Sequence, residues 1–257
     1  MRFTPLFGLS VRYEDGAILV MEKPAGLLMH RTHPRPQVSF HEMVRRERWN
    51  RGDERVDVVH RLDRETSGLV VMGLNLAVTS TLSRAFMQQG VSKSYLAIVC
   101  GEVSDDAGVI DLPLGRDAES RVHKKRRVGG EAARPARTGY RVLGRKAGFS
   151  LLEVEPESGR QHQIRVHLAA LGHPLVGDKL YGPDERWQLR YTKGGWSAAM
   201  AEALFLPRHA LHASRLGFSH PENGGYMTFE SPLPEDMTAF WEHGAAAVPL
   251  ARGGSNP

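Results

Sequence analysis

A short polar run between two valine-rich flanks has the residue types that do chemistry. In "VVHRLDRETSGLVV", residues 58–71, Asp63 stands between Arg61 and Arg64, and both flanks are typical of β-strands. A carboxylate next to apolar strands is costly unless it is paired. Two interpretations stay open on spacing alone: a structural ion pair or turn cap, and an ionised nucleophile or base in a cleft.

A second polar cluster offers a partner for such an aspartate. The segment "GRQHQIRVHLAALGHP" has the apolar spacing of a helix, with Ile164, Leu168 and Leu171 on one face and a Gly and a Pro that end it. This spacing puts Arg165 at the edge of the buried face. A guanidinium near a half-buried aspartate would hold the carboxylate ionised and lower its pKa.

The elements that must position these residues are mostly strands joined by short turns. "VDVVH" and "SGLVVMGL" predict strands on either side of Asp63, and "KSYLAIVCG" predicts another that carries Tyr95. "GLSVRYEDGAILVMEKP" and "TGYRVLGRKAGFSLLEVEP" predict hairpins, "NLAVTSTLSRAFMQQG" predicts a helix, and "PEDMTAFWEH" predicts a short final one. We therefore expect an α+β fold with a largely antiparallel mixed sheet and flanking helices and loops.

Five segments in the same order resemble one known family. "HRLDRETSGLVV" resembles the catalytic HRLDxxTSG motif of the RluA-type pseudouridine synthases, and "KSYLAIVCG" resembles their KxYxAxVxG motif. "SGRQHQIRVHLAALGHPLVGDKLYG", "HALHASRLGFSHP" and the N-terminal "VMEKPAGLLMH" are similar to three further elements of that family. Each match alone is moderate evidence, but chance agreement of all five, in family order, is implausible.

The resemblance implies a reaction. Asp63 aligns with the essential aspartate of a family that breaks the N-glycosidic bond of a uridine in RNA, turns the uracil over and rejoins it to ribose through carbon 5. It implies an isomerase that needs no cofactor and no metal. A covalent adduct of Asp63 and a role in charge stabilisation and proton transfer both stay open.

The same alignment assigns roles to three other residues, and the chemistry of base flipping suggests one for Arg61. Tyr95 matches the tyrosine that packs on the target base, and its hydroxyl is a candidate for removing the carbon 5 proton; the alternative is a core aromatic. Arg165 matches the arginine paired with the aspartate. Ile164 matches a residue lining the base pocket, against plain helix packing. Arg61 is expected to fill the place of the flipped uridine and contact phosphate, against an ordinary ion pair.

The most basic stretch, "GRDAESRVHKKRRVGGEAARPART", lacks apolar periodicity and predicts an exposed loop. Its cations are expected to contact RNA phosphates, with a solvated surface as the alternative; they are Arg121, Lys124, Lys125, Arg126 and Arg127. For Lys23, phosphate contact and an ordinary surface lysine stay equally open.

The composition fits an RNA partner. The 257 residues carry a formal net charge of +5, and the single cysteine excludes an internal disulfide framework. No stretch approaches the roughly 20 apolar residues of a membrane span. We expect a cytoplasmic monomer that binds rRNA, tRNA or both.

One catalytic domain is expected over residues 1–243, with a disordered tail at 244–257. The chain starts almost directly at this domain, so we expect a short form without the ribosomal-protein-like RNA-binding domain of many relatives. The segment 184–207 resembles an insertion, in which Trp187, Tyr191 and Trp196 either stack on bases or pack a local helix.

Two other function classes compete with this one. A non-catalytic RNA-binding or RNA-folding protein on the same fold could have lost Asp63, Tyr95 or Arg165, whereas this chain keeps all three. A metal-dependent hydrolase would need a ligand cluster. His209 and His212 lie three residues apart in a strand-like segment, which places them on opposite faces.

Overall fold

The computed structural model describes residues 9–31, 38–50, 52 and 55–245. Its strands and helices follow in chain order: β1 (Ser10–Glu14), β2 (Ile18–Lys23), α1 (Phe40–Asn50), β3 (Asp57–Val58), β4 (Ser67–Gly73), α2 (Leu76–Met87), β5 (Ser92–Cys100), β6 (Ala107–Asp111), β7 (Leu114–Arg116), β8 (Arg126–Val128), β9 (Glu131–Arg134), β10 (Arg137–Lys146), β11 (Phe149–Pro156), α3 (Gln163–Ala170), α4 (Arg186–Gly194), α5 (Ala198–Leu204), β12 (Leu211–Ser219), β13 (Tyr226–Glu230) and α6 (Glu235–His243). The expected α+β class with largely antiparallel strand pairing is confirmed.

The chain divides into two compact units. The first comprises the residues up to Ser94 together with Ala213–Pro232, and the second comprises Tyr95–His212 together with the residues from Leu233 onward. Two of the three divisions fall inside β5 and β12, and the third falls between β13 and α6. The expected bounds of the catalytic domain, 1–243, stay a prediction.

The first unit consists of one sheet with helices α1 and α2. Its strands run in the order β1-β2-β4-β12, with β13 beside β12 and β3 beside β4. The predicted turn at Asp15 joins β1 to β2, and the Asp15 carboxylate accepts the amides of Ala17 and Ile18, both at 2.8 Å. Helix α2 buries Val78 and Leu82 among apolar residues of β2 and β4. Two confirmed elements, a hairpin and a helix, thus frame the segment that carries Asp63.

The second unit has a larger and a smaller sheet. The larger runs β5-β11-β10-β6, with antiparallel pairing throughout. The predicted hairpin of β10 and β11 turns at Ala147 and Gly148, which both have positive φ, +52° and +80°. The smaller sheet runs β8-β7-β9, also antiparallel. Its strands lie in the basic stretch for which we expected an exposed loop, so the loop assignment was wrong for these strands, whereas most of the stretch is exposed as expected.

Helix α3 is buried on more than one face. Besides its apolar residues it buries Gln163, Arg165 and His167. The interior satisfies their polar atoms, because the Gln163 amide donates to the Arg137 carbonyl at 2.9 Å and the His167 ring bonds the Leu112 carbonyl at 3.0 Å. Periodicity alone placed Arg165 at the edge of the buried face. It lies deeper, since buried polar partners remove the need for an exposed polar side.

The insertion-like segment 184–207 contains α4 and α5. The ammonium of the buried Lys179 lies over the rings of Tyr191, at 4.7 Å, and Trp196, at 5.7 Å. Trp187 packs under the Arg190 guanidinium at 4.8 Å. These contacts agree with the packing interpretation of the three aromatics. Residues 246–257 of the expected disordered tail lie outside the described residues.

Candidate active site

Asp63 lies half-buried in the connection between β3 and β4, in the first unit. Its carbonyl accepts the Thr66 amide at 3.1 Å, which closes a turn immediately after it. The next residue, Arg64, is tied to Gly26 twice: the Gly26 amide donates to its carbonyl at 2.8 Å, and its Nε donates to the Gly26 carbonyl at 2.9 Å. The backbone that follows Asp63 is thereby fixed both within the turn and by the segment that contains Gly26.

Lys23 also stabilises the turn that contains Asp63. Its side chain is 1% exposed, and its Nζ donates to the carbonyls of Pro24 at 2.8 Å, Leu27 at 3.0 Å and Arg64 at 3.1 Å. A buried ammonium satisfied by three carbonyls is neither a surface lysine nor within reach of phosphate, so both interpretations of Lys23 were wrong. The N-terminal "KPAGLLMH" element instead braces the Asp63 turn.

The His60 side chain accepts a hydrogen bond from β4 where the backbone pairing of β3 with β4 ends. Pairing of β3 with β4 stops at Val58, and the Val71 amide of β4 donates to His60 Nε2 at 3.0 Å. The imidazole stacks on Phe86 of α2, with ring centroids 4.4 Å apart. Burial, with a further contribution from the charge of Lys93, lowers the pKa of His60 to about 3. The ring is therefore a neutral acceptor that anchors the start of the motif.

Arg61 is exposed in the first unit, as a residue that contacts RNA must be. Its charge acts on His30, the histidine that ends the N-terminal element. Burial lowers the pKa of His30, and the charges of His41 and Arg61 lower it further. The expected role of Arg61 beside a flipped uridine stays a prediction.

Tyr95 and Ile164 belong to one hydrophobic cluster of the second unit. Tyr95 pairs with Val154 across β5 and β11 and is half-buried. Ile164 is 6% exposed in the first turn of α3, and it packs into the cluster with Leu168 and Leu152. Packing accounts for the burial of Ile164. Stacking of a base on Tyr95 and contact of Ile164 with that base stay predictions.

Arg165 has an acidic partner that sequence reasoning did not single out. Its Nε and Nη2 donate to the two carboxylate oxygens of Asp178 at 2.7 and 2.9 Å. Asp178 also accepts the amides of Leu180 at 2.9 Å and Tyr181 at 3.0 Å. Burial opposes ionisation of this carboxyl, but the charge and hydrogen bonds of Arg165 outweigh it, and the pKa of Asp178 falls well below its usual range.

Tyr181 completes the support of Arg165. Its ring lies 4.9 Å from the guanidinium carbon, a cation–π contact. Its hydroxyl accepts the Arg126 amide at 2.9 Å and bonds His162 Nδ1 at 2.7 Å. Both Asp178 and Tyr181 lie in "GDKLYG", which the third motif includes. The signal that could have found Asp178 was the need of a buried arginine for a carboxylate.

The basic residues of the second unit differ in how far their charge is compensated. Lys125 Nζ lies 2.8 Å from a Glu185 oxygen and 3.5 Å from an Asp117 oxygen. Arg127 reaches the exposed Glu119 at 3.4 Å. The Arg126 guanidinium donates to an uncharged side-chain amide, and Lys124 is exposed. The expected phosphate contacts of Lys124, Lys125, Arg126 and Arg127 stay predictions, and Lys125 is the most compensated of the four.

The described residues show neither a metal-binding cluster nor a helix that could cross a membrane. No group of three or more His, Cys, Asp or Glu side chains there is arranged to hold a metal ion. No helix in that part of the chain has the length and apolar character needed to cross a membrane.

Comparison with known proteins gives consistent matches. The model of the family described as RNA pseudouridylate synthase matches residues 17–170. Ribosomal large subunit pseudouridine synthase D of Nitrosomonas europaea is 37% identical over 253 residues, covering 94% of this chain and 69% of the relative. The protein of the same name from Xanthomonas campestris is 38% identical, with coverages of 95% and 73%. The structure of human RNA Pseudouridylate Synthase Domain Containing 4 matches with a TM-score of 0.70 at 26% identity, covering 89% of this chain and 90% of that one.

Proposed function

Because this chain belongs to the RNA pseudouridylate synthase family and is an RNA pseudouridine synthase, we propose that it isomerises a uridine of large-subunit ribosomal RNA, with Asp63 as its catalytic residue. The relatives named for the large ribosomal subunit support this choice of RNA. Transfer RNA is the other substrate that the sequence left open. A monomeric state and a cytoplasmic location complete the proposal.

The hydrogen-bonded turn around Asp63 carries the assignment of the catalytic residue. Asp63 is half-buried, while Lys23, Gly26 and Thr66 fix the backbone that follows it. A rigid backbone keeps a reactive group in a near-attack position, which contributes several kcal/mol to catalysis in favourable cases, roughly 7–11 at most. The fixed turn is thus the local structure that a single catalytic carboxylate needs.

The reaction is balanced without a redox partner. The bond from ribose carbon 1′ to uracil N1 breaks, the base turns, and a bond from carbon 1′ to carbon 5 forms. The hydrogen on carbon 5 leaves as a proton, and N1 gains one. Asp63 acts at the anomeric carbon or the uracil ring as an anion, and the tyrosine at position 95 supports the base.

A pseudouridine map tests reaction, residue and target together. Total rRNA and tRNA are mapped from a strain that lacks the protein and from strains rescued with the native chain, Asp63→Asn or the control Asp57→Asn. Asp57 is a carboxylate of the same unit, paired with Arg55 at 2.6 Å. We expect one large-subunit site that only the native and Asp57→Asn chains restore. Restoration by Asp63→Asn rules out the catalytic assignment, and a lost site in tRNA alone rules out the proposed RNA.

In vitro, Asp63→Asn is expected to lower isomerisation by on the order of 10⁴-fold, the scale seen when an enzyme loses a group of this kind. RNA affinity should stay within about twofold, since one amide replaces one carboxylate of the same shape. A loss of affinity equal to the loss of rate would make Asp63 a binding residue instead.

A further inference from the structure

A surface pocket of about 450 Å³ lies in the second unit, beside the small sheet and the segment that precedes α3. This volume is in the range of ligand-binding pockets. Its charged and polar lining consists of Arg116, Arg126, Arg134, Arg160, Glu131 and Gln161. Four arginines and one glutamate leave a formal excess of three positive charges. We refer to it as the arginine pocket.

Two of the arginines are held in place by neutral acceptors. Arg126 donates from Nε and Nη2 to the Gln161 amide oxygen at 3.1 and 2.6 Å. Arg160 donates from Nε to the Pro135 carbonyl at 3.3 Å. These bonds orient the guanidinium groups without neutralising them. Lys125 shows the opposite arrangement, because its charge is met by carboxylates.

The other two arginines are also available to an anion. Arg116 lies 3.5 Å from Glu131, but both side chains are largely exposed, at 45% and 60%, so the pair is weak. Arg134 is exposed at the end of β9 and has no ion pair within the described part of the chain. Three of the four arginines thus lack any carboxylate partner close enough to compensate them there.

A strand irregularity shapes this pocket. Leu114 faces Arg134 and Arg116 faces Glu131, so a two-residue step on β7 opposes a three-residue step on β9. The extra residue falls at Ala132, whose φ of +51° is unusual for a side chain with a Cβ. Bulges of this kind re-aim side chains and occur at functional sites. Here the bulge lies between two of the arginines that line the pocket.

We propose that the arginine pocket binds a phosphate of the substrate RNA, with its nucleotide, at a position other than the target uridine. The inference rests on the proposed function only in taking RNA as the substrate. A planar guanidinium can donate two parallel hydrogen bonds to two oxygens of one phosphate, whereas a lysine ammonium acts as a point charge. The exposed Arg121 and Lys124, in the connection between β7 and β8, extend the positive surface beyond the pocket. A polymer backbone can use such an extension, whereas a free nucleotide cannot.

RNA binding measured as a function of salt tests the pocket directly. The pocket variant is Arg134→Gln with Arg160→Gln, and the control is Arg141→Gln with Arg186→Gln. All four arginines are exposed residues of the second unit. The control pair removes the same charge from residues that are compensated by Glu153 and Asp184. Urea unfolding verifies that both variants are folded.

The probe is a labelled single-stranded RNA of about 12 nucleotides, the length that one binding surface covers. Each lost phosphate contact lowers the slope of log K against log salt by about 0.7, so the pocket variant should lose about 1.4 and the control should lose nothing. Equal slopes for the pocket variant and the control overturn the proposal. Binding of free uridine monophosphate as tightly as the RNA also overturns it, in favour of a small-nucleotide site.

Turnover separates this inference from the proposed function. The pocket variant should raise KM for the mapped RNA about tenfold and leave kcat unchanged, since it loses ground-state and transition-state binding equally. Native protein that binds RNA through the pocket but makes no pseudouridine would contradict the proposed function alone. If the native protein isomerises RNA and the pocket variant does so with the same KM, the result would contradict the pocket proposal alone.

Discussion

Arg165 and Asp178 form a two-point ion pair in the interior of the second unit, with donor–acceptor distances of 2.7 and 2.9 Å. The arginine is 7% exposed and the aspartate 1%. Because Asp178 is itself held by two backbone amides, it fixes the plane of the guanidinium rather than following it. The orientation of Arg165, the arginine of the third motif, therefore depends on Asp178, which lies thirteen residues further along the chain.

Asp178→Asn should harm both stability and turnover. Breaking a buried ion pair by removing its charged partner costs about 3–5 kcal/mol in the free energy of unfolding. Turnover per folded molecule should fall by about tenfold or more, since the guanidinium loses its fixed plane. Urea unfolding and single-turnover kinetics measure the two effects.

A matched control exists in the same unit. Arg208 and Asp236 make a similar two-point pair, at 2.6 and 2.8 Å, outside the recognised motifs. Asp236→Asn should lower stability but leave turnover per folded molecule unchanged. Equal turnover losses in the two variants would mean that Asp178 acts only through stability.

Tyr95→Phe separates the hydroxyl of Tyr95 from its ring. If the hydroxyl helps to remove the carbon 5 proton, release of tritium from RNA labelled at carbon 5 of uridine should slow by about 10²–10⁴-fold. RNA affinity should not change. Tyr95→Leu removes the ring as well and should weaken binding by roughly 1–3 kcal/mol.

Tyr140→Phe serves as the control, because Tyr140 belongs to the same hydrophobic cluster as Tyr95. Its loss of a hydroxyl should leave tritium release at the native rate. Native-like release from Tyr95→Phe would assign proton removal to another group and reduce Tyr95 to a stacking platform.

The sequence was sufficient for those elements whose signals are local. The Asp15 turn and helix α2 follow from a hairpin dipeptide and from apolar spacing, and both are confirmed. The small sheet was missed because its strands are three or four residues long and mostly exposed, which leaves no alternation to detect. The family motifs identified Arg165 but not Asp178, since tertiary contacts alone bring the two together.

Lys23 shows the same limit on a single residue. Lysine is almost never fully buried, so the residue type alone favours a surface position. Its burial depends on three carbonyls, one of which belongs to Arg64, 41 residues away in the chain. Such a set of acceptors appears only once the fold is known.

His60 should make stability depend on pH. Its pKa is lowered from 6.5 to about 3 in the folded state, so between these values the unfolded chain binds more protons than the folded one. The free energy of unfolding should therefore fall as the pH drops below 6.5. His60→Gln keeps an acceptor for the Val71 amide and removes the titrating ring. Urea unfolding from pH 7 to pH 4 should show a shallower decline for the variant, and parallel curves would refute this role.

Gly68→Ala should disrupt the first unit next to the Asp63 turn. Gly68 has a φ of +116°, and a Cβ there would lie 2.3 Å from the Ala213 carbonyl oxygen and 2.6 Å from its amide nitrogen. Backbone atoms cannot give way as a side chain can, so we expect a loss of about 3 kcal/mol or more. Gly139→Ala is the control, because the nearest atom would lie 3.8 Å away. Equal effects of the two would mean that β4 and β12 can separate without penalty.

Single substitutions in the basic segment should rank by how far each charge is already compensated. Arg126→Gln removes a cation held by a neutral amide, so it should weaken RNA binding and lower the salt slope by about 0.7. Lys125→Gln removes a cation that Glu185 and Asp117 already neutralise, and it should leave the slope nearly unchanged. Arg127→Gln should fall between them, because its exposed pair with Glu119 is weak.

Replacing Lys124, Lys125, Arg126 and Arg127 together should therefore flatten the slope by less than four separate phosphate contacts would require. Anisotropy titrations of one labelled RNA at several salt concentrations measure all four variants on the same scale. A decrease of about 2.8 in the slope is four times the value of about 0.7 for one phosphate contact with single-stranded RNA. It would mean that RNA displaces Glu185 from Lys125 on binding. An unchanged slope would mean that these four cations lie on a solvated surface, and phosphate contact in the second unit would then fall to the other arginines of the pocket, Arg116, Arg134 and Arg160.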